Sequence, residues 1–99
     1  MSVKVTLSKP ISVAGESIDA LELREPTVED VGEIGYPFMI IQGDNGTGYE
    51  LRPKVILKYA SRLGGVPPSS LKAISLGDLS ELQTAVMGFF GDEAATPQN

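Results

Sequence analysis

The chain contains no cysteine and no histidine. Without cysteine there is no disulfide, no thiolate metal ligand and no thiol nucleophile. Without histidine there is no imidazole to relay a proton near neutral pH. Basic residues are also sparse. Eight Lys and Arg face thirteen Asp and Glu, a net charge of −5, and the basic ones are scattered along the sequence. Nucleic-acid binding draws its affinity from cations set against phosphates, so this balance argues against a nucleic-acid partner. An acidic surface suits solubility, or a partner with a basic surface. The longest apolar run, around "FMII", is far too short to cross a bilayer. The opening "MSVKVTLSK" has no apolar segment of the kind a secretory signal needs. These absences predict a soluble chain of the cytoplasm with no membrane partner.

Ninety-nine residues, 41% of them hydrophobic, suffice for one domain with a modest core. In "VKVTLS", residues 3–8, Val3, Val5 and Leu7 alternate with Lys4, Thr6 and Ser8. That is the pattern of a half-buried strand. Pro10 removes a ladder donor, which predicts an edge or a bulge. Ile11 and Val13 continue the strand, "AGES" reads as a turn, and "IDALELRE" supplies a second strand with Leu21 and Leu23 on one face. The expectation is an N-terminal antiparallel β-hairpin.

The stretch "LREPTVEDVGEIG", Leu23 to Gly35, raises a choice. It crowds Glu25, Glu29, Asp30 and Glu33 beside Arg24. It is either a carboxylate site or the start of a helix. Pro26 holds Glu25 extended, Thr27 is a good N-cap, and Asp30 follows three residues later as in a capping box. Glu29, Asp30 and Glu33 would then sit where the helix dipole favours negative charge. Val28, Val31 and Ile34 supply apolar spacing, and Gly35 a stop. The capping reading is the better one.

Beyond it, "YPFMIIQ" is apolar and "GDNGTG" is rich in turn formers, which predicts a mobile loop. In "YELRPKVILKYASRL", Leu51, Val55, Tyr59 and Leu63 recur every four residues, widened by Ile56 and Ala60. That is an amphipathic helix with Pro53 in its first turn and Gly64 and Gly65 at its end. "VPPSSLKAI" reads as a turn and a short helix capped near Ser69 or Ser70. Ser75 caps a last helix whose apolar face is Leu79, Leu82, Val86 and Phe89 or Phe90. The fold class expected is α+β: the hairpin followed by three or four α-helices in one compact domain over residues 1–91, then a polar, disordered tail over 92–99. The expected core is Leu7, Leu21, Leu23, Val55, Tyr59, Leu63, Leu79, Leu82 and Val86.

Chemistry finds little support. Glu29 and Glu33 would be helix neighbours, but no apolar pocket is implied to separate their pKa values. The acidic spacing does not match a calcium loop, and "GDNGTG" lacks both the terminal Glu of such a loop and the Lys-Ser/Thr ending of a phosphate loop. Ser, Lys and Tyr show no spacing for nucleophilic catalysis. The expectation is no enzyme, no catalytic residue, no metal and no cofactor. Two apolar stretches stand out instead. Tyr36, Pro37, Phe38, Met39, Ile40 and Ile41 are contiguous, and Met87, Phe89 and Phe90 carry the last helix's apolar surface beyond one face. Aromatic and Met enrichment marks interface cores. Tyr36, Phe38, Met39, Ile40, Ile41, Met87, Phe89 and Phe90 are therefore the candidate partner-binding residues, with ordinary core as the competing account of each.

These pieces, in order, resemble the small tail assembly chaperones of tailed bacteriophages, of the type found in contractile-tailed and Mu-like phages and their prophages. "LSKPISVAG" matches the family's start through Leu7, Lys9, Pro10, Ile11, Val13 and Gly15. "LREPTVED" is the most specific piece, through Leu23, Arg24, Glu25, Pro26, Thr27 and Asp30. "IGYPF" resembles one branch of the family, and the segment from Arg62 to Phe90 matches the closing part. Residues 39–50 match no firm pattern.

The resemblance implies a non-catalytic assembly factor that coats the aggregation-prone tape measure protein and brings in tail tube subunits. It would act in the cytoplasm of the bacterial host and be absent from the mature virion. It also implies a longer form made by programmed translational frameshifting. "GFF" at 88–90 is codable by a slippery run such as GGT-TTT-TTC, and interrupted T-runs in the gene would remove that slip site. The marginal stability of a lone hairpin leaves room for strand pairing with a second copy. The alternatives are a small α+β adaptor or regulatory protein of a mobile element and, ranked below it, an acidic DNA mimic.

Overall fold

The computed structural model describes residues 2–95, with side chains through residue 91. The chain is α+β, with the expected N-terminal hairpin. β1 (Ser2–Val13) pairs antiparallel with β2 (Glu16–Arg24). Its two-residue turn, Ala14-Gly15, has φ of 53° and 84°, the left-handed geometry that matches the strand twist of tight hairpins. The ladder breaks between Thr6 and Ile11, around Pro10. There, residues 7–10 of β1 face only Asp19 across the strand pair, a wide bulge that leaves backbone donors without ladder partners.

Among the described residues four helical segments follow in sequence, with a second hairpin between the first two. α1 (Val28–Ile34) begins on the capping box. Thr27 accepts from the Asp30 amide, and the Asp30 side chain accepts from the Thr27 amide. α2 (Pro53–Gly64) starts with its proline in the first turn, and Gly65 ends it at φ 68°. A 3₁₀ helix spans Pro68–Ala73 and starts from Pro67, with no serine side chain capping it. α3 (Leu76–Ala95) is capped by Ser75, whose hydroxyl accepts from the Asp78 amide. Of the polar tail expected from residue 92, residues 92–95 belong to α3 and 96–99 lie outside the described residues.

The core lies between the first hairpin and the two long helices. α2 packs over β2, α3 over β1, and the helices against each other. Val5, Leu7, Ile11, Leu21 and Leu23 from the strands meet Ile56, Tyr59, Ala60, Leu63, Leu82, Val86 and Phe90. A Cβ on Gly64 would stand 3.2 Å from Leu23 Cδ2, so the glycine lets the last turn of α2 approach the sheet. Two expected core residues, Val55 and Leu79, are only half-buried. Because Pro53 opens α2, Leu51 falls outside the helix, and the buried stripe centres on Ile56, Tyr59, Ala60 and Leu63. Val28 faces solvent, while Val31 and Ile34 pack on the core.

The "GDNGTG" stretch, expected as a mobile loop, instead forms the turn and the flanking strand ends of a second hairpin. β3 (Phe38–Gly43) pairs antiparallel with β4 (Gly46–Leu51) around Asp44 and Asn45. Glycine is depleted in strands, which is what hid it. Here Gly43 and Gly46 face each other at the turn, and Gly46 takes the positive φ of 116°. No other element's backbone packs along this hairpin among the described residues. The molecule is accordingly long, 48 × 25 × 22 Å.

Candidate protein-interaction surface

The crowded carboxylates resolve first. Asp30 is 1% exposed. It accepts from Arg24 in a two-pronged pair at 2.7 and 3.2 Å, from Arg62 Nε at 2.6 Å, and from the amide and hydroxyl of Thr27. Arg62 also reaches Glu33 at 2.6 Å. Three elements are thereby tied together: the end of β2, α1 and the last turn of α2. The Arg24 hydrogen bond, joined by those of Thr27 and Arg62, holds the Asp30 carboxyl well below the usual carboxylate range, against the opposing effect of burial. Such a carboxylate is fixed in charge and saturated with donors, so it is a clamp rather than a proton carrier. Among the described residues no group of three acidic, His or Cys side chains is arranged to hold a metal ion. No helix there is long and apolar enough to cross a membrane.

The second buried carboxylate, Asp78, answers the bulge in β1. It accepts the Ser8 amide at 2.9 and 3.1 Å and the Lys9 amide at 3.2 Å. These bonds, the one from Ser8 foremost, lower its pKa. Asp78 thus satisfies strand donors rather than closing a capping box at its own helix.

The two apolar stretches of the sequence come together in space. Phe90 lies at the centre, with ring centroids 5.6 Å from Tyr59, 5.9 Å from Tyr36 and 6.3 Å from Phe38. Phe38 also meets Tyr36 at 5.7 Å and Tyr49 at 5.6 Å. Most of these pairs meet edge to face, the favoured aromatic geometry. The Tyr59 hydroxyl donates to the Gly35 carbonyl at 2.6 Å, which fixes the approach to Tyr36.

The candidate residues do not share one role. Phe90 is only 5% exposed and is core. Phe38, Met87 and Phe89 are half-buried. Tyr36, Met39, Ile40 and Ile41 are exposed, at 44–56%. Strand alternation then divides the run. Phe38 and Ile40 share a face with Leu51 and Tyr49, while Met39 and Ile41 lie on the other. The first face continues through the Phe38–Tyr49 and Phe38–Tyr36 ring contacts towards a groove of about 360 Å³, lined by Val28, Val31, Gly32, Tyr36 and Phe89 among others. Sequence reasoning missed Tyr49 and the lining roles of Val28 and Val31. The alternation in "TGYEL" opposite "FMIIQ" was the available signal for Tyr49.

Comparison with known families places the chain. The family model described as phage tail assembly chaperone proteins, E, or 41 or 14, matches residues 4–91. The chain belongs to this family of phage tail assembly chaperones. No curated protein and no solved structure matches it. In this tail assembly chaperone the "LREPTVED" stretch builds the Arg24–Asp30 clamp. That motif supports the scaffold, and the candidate binding surface lies beside it.

Proposed function

We propose that this chaperone binds the phage tape measure protein through the surface formed by Tyr36, Phe38, Ile40, Tyr49 and the Val28–Val31–Phe89 groove. The supporting observation is the joining of two apolar stretches around Phe90 into one partly exposed aromatic surface. Such a surface suits an amphipathic helix laid in a groove. Each contact is modest, so many copies along a long client give strong total binding that can still be released. The net charge of −5 keeps a loaded complex soluble.

In this reading the chain is non-catalytic and uses no cofactor. It works in the host cytoplasm, helps recruit tail tube subunits, in part through a longer frameshifted form, and is absent from the finished virion. Residues up to 91 act as one domain. Met39 and Ile41, on the other strand face, offer a contact to the client or to a second copy.

Co-expression with the neighbouring tape measure protein, followed by pull-down and a solubility assay, tests the reading. A soluble complex is expected. It should be lost in Tyr36→Ser/Ile40→Ser and in Phe89→Ser variants that keep the wild-type circular dichroism spectrum. Absence of a complex from folded wild-type protein refutes it and favours the adaptor reading.

A further inference from the structure

A second groove lies between α2 and the 3₁₀ helix. Its floor is Leu57, Pro68 and Leu71, and its rim is Lys54, Lys58 and Lys72. It shares no residue with the aromatic groove. Leu71 is buried and Leu57 half-buried. The volume, about 230 Å³, is below the ~300–1,000 Å³ of small-molecule sites. A depression of that size suits a single large side chain better than a cofactor.

The charge around it is unusual for this chain. Three of the five lysines converge here, and no carboxylate lines the groove. None of the three makes an ion pair or hydrogen bond among the described residues. Arg24 and Arg62, by contrast, are both engaged by Asp30. Lys54 also stands in the first turn of α2, which has no acid. The helix dipole disfavours cations there, whereas α1 and α3 both carry acids in their first turns. The adjoining depression, which Lys54 and Lys58 also line, holds one carboxylate, Glu50, against Arg52 and the two lysines, so the balance there stays positive. An uncompensated cation against the dipole is a local conflict of the sort that functional sites tolerate.

We propose that this groove docks an acidic segment of a partner protein: one large apolar side chain seated on Leu57, Pro68 and Leu71, with flanking Asp or Glu paired to Lys54, Lys58 and Lys72. Charge complementarity selects this occupant. A neutral apolar peptide would leave the lysines unused, and a nucleic acid would leave the apolar floor uncovered. A second copy brings its own net charge of −5 against another acidic molecule. This site stands whatever occupies the aromatic surface.

The test uses a fluorescein-labelled peptide with a central Leu flanked on each side by Glu, followed by fluorescence anisotropy against the full chain. Two control peptides replace Glu by Gln, or Leu by Ser. Saturable binding to the first peptide is expected, about tenfold weaker for either control, and falling with salt as screened pairs do. Lys54→Glu/Lys58→Glu/Lys72→Glu should abolish it, while Lys4→Glu/Lys9→Glu should not. Thermal unfolding checks that each variant is folded, and Lys72→Glu alone serves if the triple variant is not. No binding, equal binding of the Gln peptide, or equal loss in the Lys4/Lys9 variant overturns the proposal. So does a single-stranded oligonucleotide that binds wild type and Leu57→Ser alike through the same lysines. A dimer that charge reversal converts to monomer in sedimentation would assign the groove to a second copy and also overturn it.

Discussion

Phe90 of α3 stands edge-on to Tyr59 of α2, with ring centroids 5.6 Å apart and planes at 71°. The contact makes Phe90 the point where the hydrophobic core and the exposed aromatic surface join. Phe90→Ala should therefore cost about 3–5 kcal/mol, as aromatic truncations in cores do. Ile40→Ser, at a side chain 55% exposed on a projecting hairpin, should change stability by about 0.5 kcal/mol or less. Urea denaturation of the two variants checks the contrast. Equal and small losses would mean that Phe90 faces outward in solution.

The Asp30 clamp predicts a definite acid limit. Its carboxyl titrates lower in the folded protein than the ordinary value of about 3.9. Its stabilising contribution is therefore complete above that value and is lost as pH falls through the folded pKa. Asp78 is shifted the same way. The urea midpoint should stay level from about pH 5 to 8 and fall steeply below about pH 4. Asp30→Asn should flatten part of that slope and cost roughly 3 kcal/mol at pH 7, the lower end for a broken buried pair because Arg24 and Arg62 can turn to water. A midpoint unchanged between pH 7 and pH 3 would contradict the clamp.

Local pattern carried the parts of this fold that are local. Alternation in 3–8 and 18–24, Pro10 at the bulge, and Thr27 and Ser75 as caps all needed only near neighbours in sequence. The second hairpin was hidden because its glycines look like a loop until Gly43 and Gly46 are seen to pair. The clamp was half visible. Thr27 and Asp30 read as a capping box, but Arg62 reaches Asp30 from 32 residues away, and nothing in the spacing says which carboxylate turns inward. The role of Asp78 was hidden for the same reason, since its partners lie 70 and 69 residues off. The candidate surface was legible as two stretches of residue types. That they meet around Phe90, and that Phe90 itself is buried there, depends on how α3 lies against β1 and α2.

The first turn holds a removable strain. Ala14 sits at φ 53°, a region that costs an ordinary L-residue about 1–2 kcal/mol. Asn tolerates it and is favoured at the first position of such turns. Ala14→Asn should raise stability by about 1 kcal/mol, and Ala14→Gly by less because glycine loses more entropy on folding. Thermal melts order the three proteins. A lower melting temperature for Ala14→Asn would mean the turn is not left-handed in solution.

Asp78 and Ser75 sit three residues apart at the start of α3 but serve different parts of the fold. Ser75 Oγ accepts the helix's own amide at Asp78, whereas the Asp78 carboxylate accepts amides from the β1 bulge. Ser75→Ala should cost about 1 kcal/mol and speed hydrogen exchange in the first turn of α3. Asp78→Asn keeps the helix start but removes the charge and one acceptor oxygen. It should therefore speed exchange at the Ser8 and Lys9 amides, while the Ser75 cap keeps the first turn of α3 protected. Residue-resolved exchange by NMR separates the two patterns. Unchanged protection of Ser8 and Lys9 in Asp78→Asn would show that the bulge donors are satisfied by another group. The tie between β1 and α3 would then rest on Leu7, Ile11, Leu82 and Val86 packing alone.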